Sequence, residues 1–282
     1  MIIMDEDKQM DRLGYLVEAF IDDSDRYRGA DVPPDRESRK RALRSLMNIR
    51  MPAPMPEEIL SVQDEYLKER AAEKGITSAD DIQSAAEEFG CRLAGADRMA
   101  VWQGDITTLK CGAIVNAANS QMLGCFVPMH NCIDNCIHSF AGVQLRAECA
   151  RKMDELRKKY GEDYEQPTAV PMLTGAYNLP ADHVIHIVGP IVQGAVTPKQ
   201  DEELASCYSK TLEMCEENSI RTVAFCAIST GVFGFPQDRA CKIAVRTVSD
   251  WLSSHEGSID KVIFNVFSER NRKLYEHELS GE

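Results

Sequence analysis

Three side chains that can bind a soft metal ion lie close together in the segment NAANSQMLGCFVPMHNCIDN, residues 116–135. They are Cys125, His130 and Cys132. Two thiolates and an imidazole suit zinc and are poor ligands for magnesium or calcium. The spacing is not one of the CxxC spacings common in structural zinc sites. Three protein ligands with a free fourth position are typical of catalytic zinc. We predict a zinc site here; the alternative is unrelated buried thiols and a loop histidine.

Cys136 and His138 are nearby rivals for the metal. Both fall on a helix predicted to begin at Asp134, where a step of two residues turns side chains about 200° apart. The two side chains therefore cannot both face one ion. We expect His138 to be a packed or hydrogen-bonded core histidine.

The segment STGVFGFP at 229–236 could hold a phosphate group. Gly231 and Gly234 allow positive φ and leave backbone N–H groups uncovered, and a helix is predicted to begin near Gln237. This combination suits a diphosphate, although the lysine of a P-loop and the dinucleotide-binding spacing are both missing. The alternative is an ordinary turn.

Two further polar sites follow apolar runs. Asn116 and Asn119 of NAAN can bind sugar hydroxyls or can form a turn. Asp105, after the residues QG, can accept a hydrogen bond from an amino group or can cap the next helical turn. The residue types alone leave these alternatives open.

The elements that must position these residues have an alternating order. Short β-branched runs begin near residue 97, and the segments between most of them have helical periodicity at 134–159, 199–218, 237–252 and 269–279. This order predicts an α/β layered domain. Ligands of such sheets bind beyond the carboxyl ends of the strands. Because the polar motifs follow strands, we expect one shared site.

Residues 1–95 are predicted to be helical and contain no chemical motif. The helical patterns are an apolar face at Met10, Leu13, Leu16, Val17 and Phe20, the segments 35–49 and 56–75, and a short helix capped by Ser78. We expect a helical extension that packs on the main domain, residues 96–282.

Composition narrows the function classes. The 282 residues carry a formal net charge of -13, which argues against general attraction to nucleic acid or to an anionic membrane. The opening MIIMDEDKQM is too short in apolar residues for an export signal. Ten cysteines without such a signal indicate reduced thiols in a cytoplasm.

Several motifs together resemble the macrodomain family of ADP-ribose-binding folds. In chain order they are QGDIT, IVNAAN, DNCIHSFAG, YNLPADHVIHIVGP, STGVFGFP and VIFNVFS. The resemblance covers residues 97–279 and implies three layers, with a mixed central sheet flanked by helices. It is closest to the ADP-ribose-hydrolysing branch, whose glycine-rich loop is replaced here by GCFVPMHNCI. That replacement and the helical extension resemble the zinc-dependent macrodomains of bacteria and fungi, often encoded beside a sirtuin-like ADP-ribosyltransferase.

The resemblance implies roles for individual residues. Cys125, His130 and Cys132 would bind zinc, and Asp134 would orient or activate water, although its type also suits a helix N-cap. Asp105 would accept from the adenine amino group. The other residues implied to bind substrate are Ile106, Asn119, Ile133, Asn135, Ser229, Thr230, Gly231, Val232, Phe233 and, as an adenine-stacking face, Phe267.

The function implied is a zinc-dependent hydrolase that removes mono-ADP-ribose from modified, most plausibly acidic, side chains of proteins. Its partners would be ADP-ribose, the modified protein and a sirtuin-like transferase. One alternative is a module that binds ADP-ribose around a structural zinc without cleaving it. Another is a hydrolase of small ADP-ribose esters.

Overall fold

The structure is a computed structural model that describes residues 6–281. The first five residues, MIIMD, and Glu282 lie outside the described residues. The prediction about an export signal depends on the opening of the chain and therefore lies partly outside them too.

The described residues begin with three helices, as predicted. They are α1 (Glu6–Asp23), α2 (Arg36–Ile49) and α3 (Glu57–Lys74). The apolar face predicted for α1 is buried in a small cluster with side chains of α2 and α3. Val143, from the main domain, belongs to the same cluster. The helical region is therefore packed against the main domain through a shared apolar contact.

Residues 77–96 join the larger apolar cluster. The short strand β1 (Thr77–Ser78) pairs with β3 (Leu109–Lys110), and Ser78 caps the 3₁₀ turn Ala79–Asp81. The helix α4 (Ala85–Phe89) follows. Apolar residues of this stretch pack with those of the central sheet. The division of the chain at residue 95 stays a prediction.

A six-stranded mixed sheet forms the centre of the main domain. Its order is β2-β8-β7-β4-β6-β5, and among these strands only β5 runs antiparallel to its neighbour. The strands are β2 (Met99–Gln103), β4 (Ala113–Ala118), β5 (Met172–Gly175), β6 (His183–Val188), β7 (Thr222–Phe225) and β8 (Lys261–Val266). The predicted α/β class is confirmed.

Between residues 97 and 281, five helices flank this sheet: α5 (Ile133–Ala141), α6 (Val143–Tyr160), α7 (Pro198–Glu217), α8 (Gln237–Ser254) and α9 (Glu269–Ser280). The single helix predicted over 134–159 is wrong, because the chain breaks into α5 and α6 at Gly142. The φ of Gly142 is 99°, which no helix accommodates. A Cβ there would also collide with the side-chain amides of Gln63 and Gln144.

No helix among residues 6–281 is long and apolar enough to cross a membrane.

Candidate active site

The predicted site loops lie at one edge of the sheet. The strands β2, β8, β7 and β4 are parallel neighbours, so the segments that follow them emerge on the same side. β4 pairs with β7 only through Ala113 and Ile114, whereas the whole of β4 pairs with β6. The sheet therefore opens between β4 and β7 towards their carboxyl ends. Such an opening is where a ligand can enter beside the strand ends.

The ligand loop, which we define as residues 123–132, connects this edge to α5. The ligand atoms of Cys125, His130 and Cys132 all lie within 4.8 Å of one another, and the three residues are half-buried. Cys125 Sγ is 3.5 Å from His130 Nδ1. Zn–S and Zn–N bonds of about 2.3 and 2.0–2.1 Å at a tetrahedral angle would hold two such atoms about 3.5 Å apart. The separation of Cys125 Sγ and His130 Nδ1 therefore matches that of two zinc ligands, and zinc binding by the three residues stays a prediction.

The start of α5 differs from the prediction. The helix begins at Ile133, and its N-cap is Cys132, whose Sγ accepts a hydrogen bond from the Asn135 amide at 3.4 Å. Asp134 is thus not the N-cap. Burial raises the pKa of the Cys132 thiol to about 12, and the neighbouring Cys125 acts in the same direction. A thiolate at this position needs a nearby cation.

Asp134 is held by two asparagines of the strand β4 and its end. Its Oδ1 accepts from Asn116 Nδ2 at 2.8 Å, and its Oδ2 accepts from Asn119 Nδ2 at 3.4 Å. Burial raises the pKa of Asp134 to about 6, although the Asn116 hydrogen bond and the Arg146 charge oppose the rise. The carboxylate is fixed in direction beside the residue predicted to contact the distal ribose.

Asn116 is oriented in turn by a buried histidine. Asn116 Nδ2 lies 3.0 Å from His186 Nδ1, and His186 Nε2 lies 3.0 Å from Thr174 Oγ1. Burial lowers the pKa of His186 to about 3, so the ring is neutral at neutral pH. Because Asn116 Nδ2 is a donor, His186 Nδ1 accepts and the proton resides on Nε2.

The loop after β7 has free backbone donors. Within the described residues, the amides of Gly231, Val232 and Phe233 donate to no protein group. Ser229 is buried with a φ of 62°, and Val232 is 83% exposed at the loop tip. The helix α8 begins just beyond, at Gln237. This arrangement suits an anion such as a diphosphate, and the roles predicted for residues 229–233 stay predictions.

Asp105 has both of the partners that its type allows. Its Oδ1 accepts from the Thr107 amide and hydroxyl, which caps the 3₁₀ turn that begins at Ile106. Its Oδ2 accepts from Lys74 Nζ at 2.6 Å. Burial favours a higher pKa, but the hydrogen bonds from Lys74 and Thr107 outweigh it and lower the pKa of Asp105. The residue is an anion at neutral pH, and adenine binding by it stays a prediction.

The remaining predicted residues occupy contrasting environments. Phe267 is 82% exposed, so its ring is free to contact a ligand. Asn135 is buried, and its Nδ2 donates to the carbonyls of Cys125 and Val127. Its side chain holds the ligand loop, while a contact with substrate stays a prediction, as it does for Ile133.

Several residues at the site belong to the region in which we found no chemical motif. Lys74 at the end of α3 contacts Asp105, and Arg44 and Asn48 of α2 contact the ligand loop. Their spacing in the sequence carries no signal of this role. A lysine in the last turn of a helix is also explained by the helix dipole.

A second group of possible metal ligands lies in the core: His138, Cys149 and His186. All three are buried. The prediction that His138 is a core histidine is confirmed, although neither ring nitrogen hydrogen-bonds to the described residues. Burial lowers the pKa of His138 well below its usual value, so this ring is also neutral.

The chain is similar to macro domain proteins. A Macro domain family profile matches residues 115–244. A protein-ADP-ribose hydrolase from Treponema medium is 45% identical over 267 residues, covering 95% of this chain and 97% of the relative. A probable bifunctional ADP-ribose hydrolase/ADP-ribosyltransferase from Fusarium oxysporum is 40% identical, covering 83% of this chain and 40% of that protein.

The fold matches a solved structure of the same kind. The Trypanosoma brucei macrodomain in complex with ADP superposes with a TM-score of 0.62 at 27% identity, covering 84% of this chain and 95% of that chain. Coverage of this extent includes part of the N-terminal helical region, because residues 96–282 are only about two thirds of the chain. By its identity to a relative that it matches almost from end to end, this chain belongs to the macro domain family.

Proposed function

We propose that the chain is a zinc-dependent hydrolase that removes mono-ADP-ribose from acidic side chains of modified proteins. Hydrolysis of the ADP-ribosyl-protein linkage is the activity for which its full-length relatives are named. The reaction consumes one water molecule and releases ADP-ribose and the free carboxyl side chain. Zinc dependence and the acidic linkage are the parts of the proposal that go beyond the relatives.

One observation carries the zinc proposal: the ligand atoms of Cys125, His130 and Cys132 lie within 4.8 Å of one another. They come just before the start of α5, and Asp134 is in the first turn of that helix. When bound, zinc supplies a Lewis acid that lowers the pKa of water or polarises a substrate oxygen. Asn119, which bonds Asp134, adjoins the same loop through a 3.2 Å bond to the Gly124 carbonyl. The distal ribose, the Asp134 carboxylate and the zinc ion would thus lie close together.

Apart from the zinc ligands and Asp134, the residues of the proposed site bind and orient the substrate. The free amides at 231–233 would hold the diphosphate, and Phe267 would stack on adenine. Contacts of this kind bind substrate and transition state about equally, so they position the scissile bond. Asp134, with its direction fixed by two asparagines, would orient the attacking water or accept its proton.

The number of ligands favours catalysis over a structural zinc. A structural site normally has a fourth protein ligand. Among the described residues the group holds three, while Cys136 lies beside Arg44 and Asp134 is bound by Asn116. A free fourth position is what a hydrolase needs.

The Fusarium oxysporum relative that is named as a probable bifunctional ADP-ribose hydrolase/ADP-ribosyltransferase supports a partnership with an ADP-ribosyltransferase. We propose that such a transferase, of the sirtuin-like type, makes the modification that this chain removes. A reducing cytoplasm, in which the ligand thiols stay free, is the compartment we propose for both.

The test is release of free ADP-ribose from a protein mono-ADP-ribosylated on an acidic side chain. A zinc chelator should stop release, and added zinc should restore it. Cys132→Ser should reduce release at least about 100-fold, since even residues outside the coordination sphere contribute 10–100-fold to metal sites. Cys136→Ser is the matched control, a cysteine one helical turn away that should retain activity.

The opposite results would be equally informative. Full release by Cys132→Ser in metal-depleted buffer would exclude the zinc mechanism. Loss of release in Cys136→Ser but not in Cys132→Ser would mean that the ligand set is wrong. Release of ADP-ribose from small esters but not from modified protein would mean that the substrates are small ADP-ribose esters.

A further inference from the structure

We propose that the N-terminal helical region is part of the active site, with Arg44 and Asn48 of α2 acting as positioning residues for the ligand loop. This inference rests on the proposed zinc role of that loop. The two residues are four positions apart in α2 and therefore lie on one face of it. That face is the one turned towards residues 129–135.

Arg44 holds the loop at a metal ligand. Its Nη2 donates to the backbone carbonyl of His130 at 2.8 Å and to Asn135 Oδ1 at 2.9 Å. Asn135 in turn donates to the carbonyl of Cys125 at 3.3 Å. One guanidinium therefore fixes the backbone of one ligand directly and that of a second through a buried amide. Bonds from a charged donor are about twice as strong as neutral ones.

Asn48 holds the residue before His130. Its Oδ1 accepts from the Met129 amide at 3.0 Å, and its Nδ2 donates to Ser139 Oγ at 2.8 Å on α5. Met129 has a φ of 58°, a left-handed conformation that is unfavourable for a residue other than glycine. Asn48 is 1% exposed, so this bond is protected from water. It stabilises the unusual backbone that turns His130 towards the two cysteines.

Arg146 fixes α2 relative to the start of the ligand loop. Its Nε donates to the Leu123 carbonyl at 2.7 Å. Its Nη1 donates to the carbonyls of Met47, Asn48 and Arg50, at the end of α2. Burial lowers the pKa of Arg146 to about 10, which leaves it a cation at neutral pH. A cation at the carbonyl end of a helix is favourable. The end of α2 and the start of the loop are therefore held by the same side chain.

The consequence is that the ligand loop depends on α2 for its shape. Without Arg44 the His130 carbonyl and the Asn135 amide would bond to water, and the loop would gain conformational freedom. Ordering it again on metal binding costs free energy for each residue fixed. The metal would then be held less tightly, although the phosphate-binding segment at 229–233 would be unchanged.

The test compares Arg44→Met with Arg41→Met. Arg41 is an exposed arginine one turn earlier on α2, so it controls for loss of charge on the same helix. Three quantities are measured: release of zinc to a chromophoric chelator, hydrogen exchange of the Met129 and His130 amides, and the dissociation constant for ADP-ribose. Thermal unfolding checks that each variant is folded.

Arg44→Met should release zinc about 10-fold faster, in the range typical of residues outside the coordination sphere. Exchange at the Met129 and His130 amides should accelerate as well. The affinity for ADP-ribose should change less than about twofold, since the variant leaves the phosphate-binding segment intact. Arg41→Met should match the wild type in all three measurements. In addition, the kcat of hydrolysis by Arg44→Met should fall with little change in KM, because the substrate is bound by residues other than the ligand loop.

The inference is overturned if Arg44→Met and Arg41→Met release zinc and exchange amides at equal rates. If the wild type holds no zinc, the metal part of the proposed function fails, and amide exchange alone decides whether α2 positions the loop. If Arg44→Met does not fold, Arg44→Lys replaces it. Lysine keeps one cationic donor but cannot reproduce the planar geometry of arginine, so its loop amides should still exchange faster than those of the control.

Discussion

Among the individual residues of the site, Asp134 has a carboxylate whose direction is fixed by its neighbours. It is buried, bound through both oxygens by asparagines of β4 and its end, and adjacent in sequence to the ligand loop. From the sequence, two roles were possible for Asp134: a helix N-cap or a catalytic group. Cys132 is the N-cap of α5, so Asp134 does not have that role, and its action on a water molecule stays a prediction.

Asp134→Asn tests that role with the smallest change of shape. An asparagine can still accept a hydrogen bond from one of the two neighbouring asparagines through its oxygen, but it cannot accept a proton. We expect kcat to fall about 100-fold or more, the usual range for a general base, while the affinity for ADP-ribose stays within about threefold. Calorimetry with ADP-ribose and steady-state release from modified protein measure the two quantities. A kcat equal to that of the wild type would assign Asp134 a purely structural role.

At the scale of elements, the turns after strands decide whether a ligand can be held. The segment after β7 lies directly over Gly189, which follows β6. A Cβ at Gly189 would overlap the hydroxyl of Ser229, whose side chain is buried. The absence of a side chain at Gly189 therefore allows the segment proposed to bind the diphosphate, residues 229–233, to lie close to the end of β6.

Gly189→Ala should displace this segment and weaken ADP-ribose binding. Losing one hydrogen bond to a charged group costs about 1.5–3 kcal/mol, which corresponds to a dissociation constant raised about 10-fold or more. Gly175→Ala is the matched control, because its Cβ would find its nearest neighbour at an ordinary 3.8 Å. Calorimetry on both folded variants measures the effect. Equal affinities would mean that the segment does not depend on Gly189.

In the whole molecule, the two apolar clusters formed by the described residues are joined by polar contacts. The smaller cluster lies among α1, α2 and α3, and the larger one surrounds the sheet. Besides Val143, long hydrogen-bonded side chains connect them, such as Gln63 to Gln144 at 2.7 Å and Asp64 to Asn178 at 2.7 Å.

Buried neutral histidines make the stability of the whole chain depend on pH. The usual pKa of His186 is 6.5, and burial lowers it to about 3. Between these values the unfolded chain binds a proton that the folded chain does not, so stability falls as the pH falls below about 6.5. We expect this one residue to cost about 1 kcal/mol on going from pH 7 to pH 5.5.

Urea unfolding of the wild type and of His186→Asn at the two pH values measures this contribution. The variant removes the titrating group, so its free energy of unfolding should fall by about 1 kcal/mol less between pH 7 and pH 5.5. Other titrating groups are common to both proteins and cancel in the comparison. An equal loss in both would mean that His186 is not buried as a neutral ring.

The features that could be predicted from the amino-acid sequence are local ones. Cys125, His130 and Cys132 are close in the chain, so a single loop can bring their ligand atoms together. Strand and helix periods were readable for the same reason, since each reports the face of its own element. The motifs at strand ends followed from the order of elements, because parallel strands end at one edge of the sheet.

Contacts between distant elements could be established only from the folded structure. Lys74 lies 31 residues from Asp105, and Arg44 lies 86 residues from His130. A helical period indicates which side chains are buried, but it contains no information about which element covers them. The break at Gly142 could not be predicted from the sequence either. The apolar residues of α5 and α6 have spacings that also suit one continuous helix, and the turn depends on packing against Gln63 and Asn178. The part of the site supplied by the N-terminal helices therefore exists only once those helices have docked.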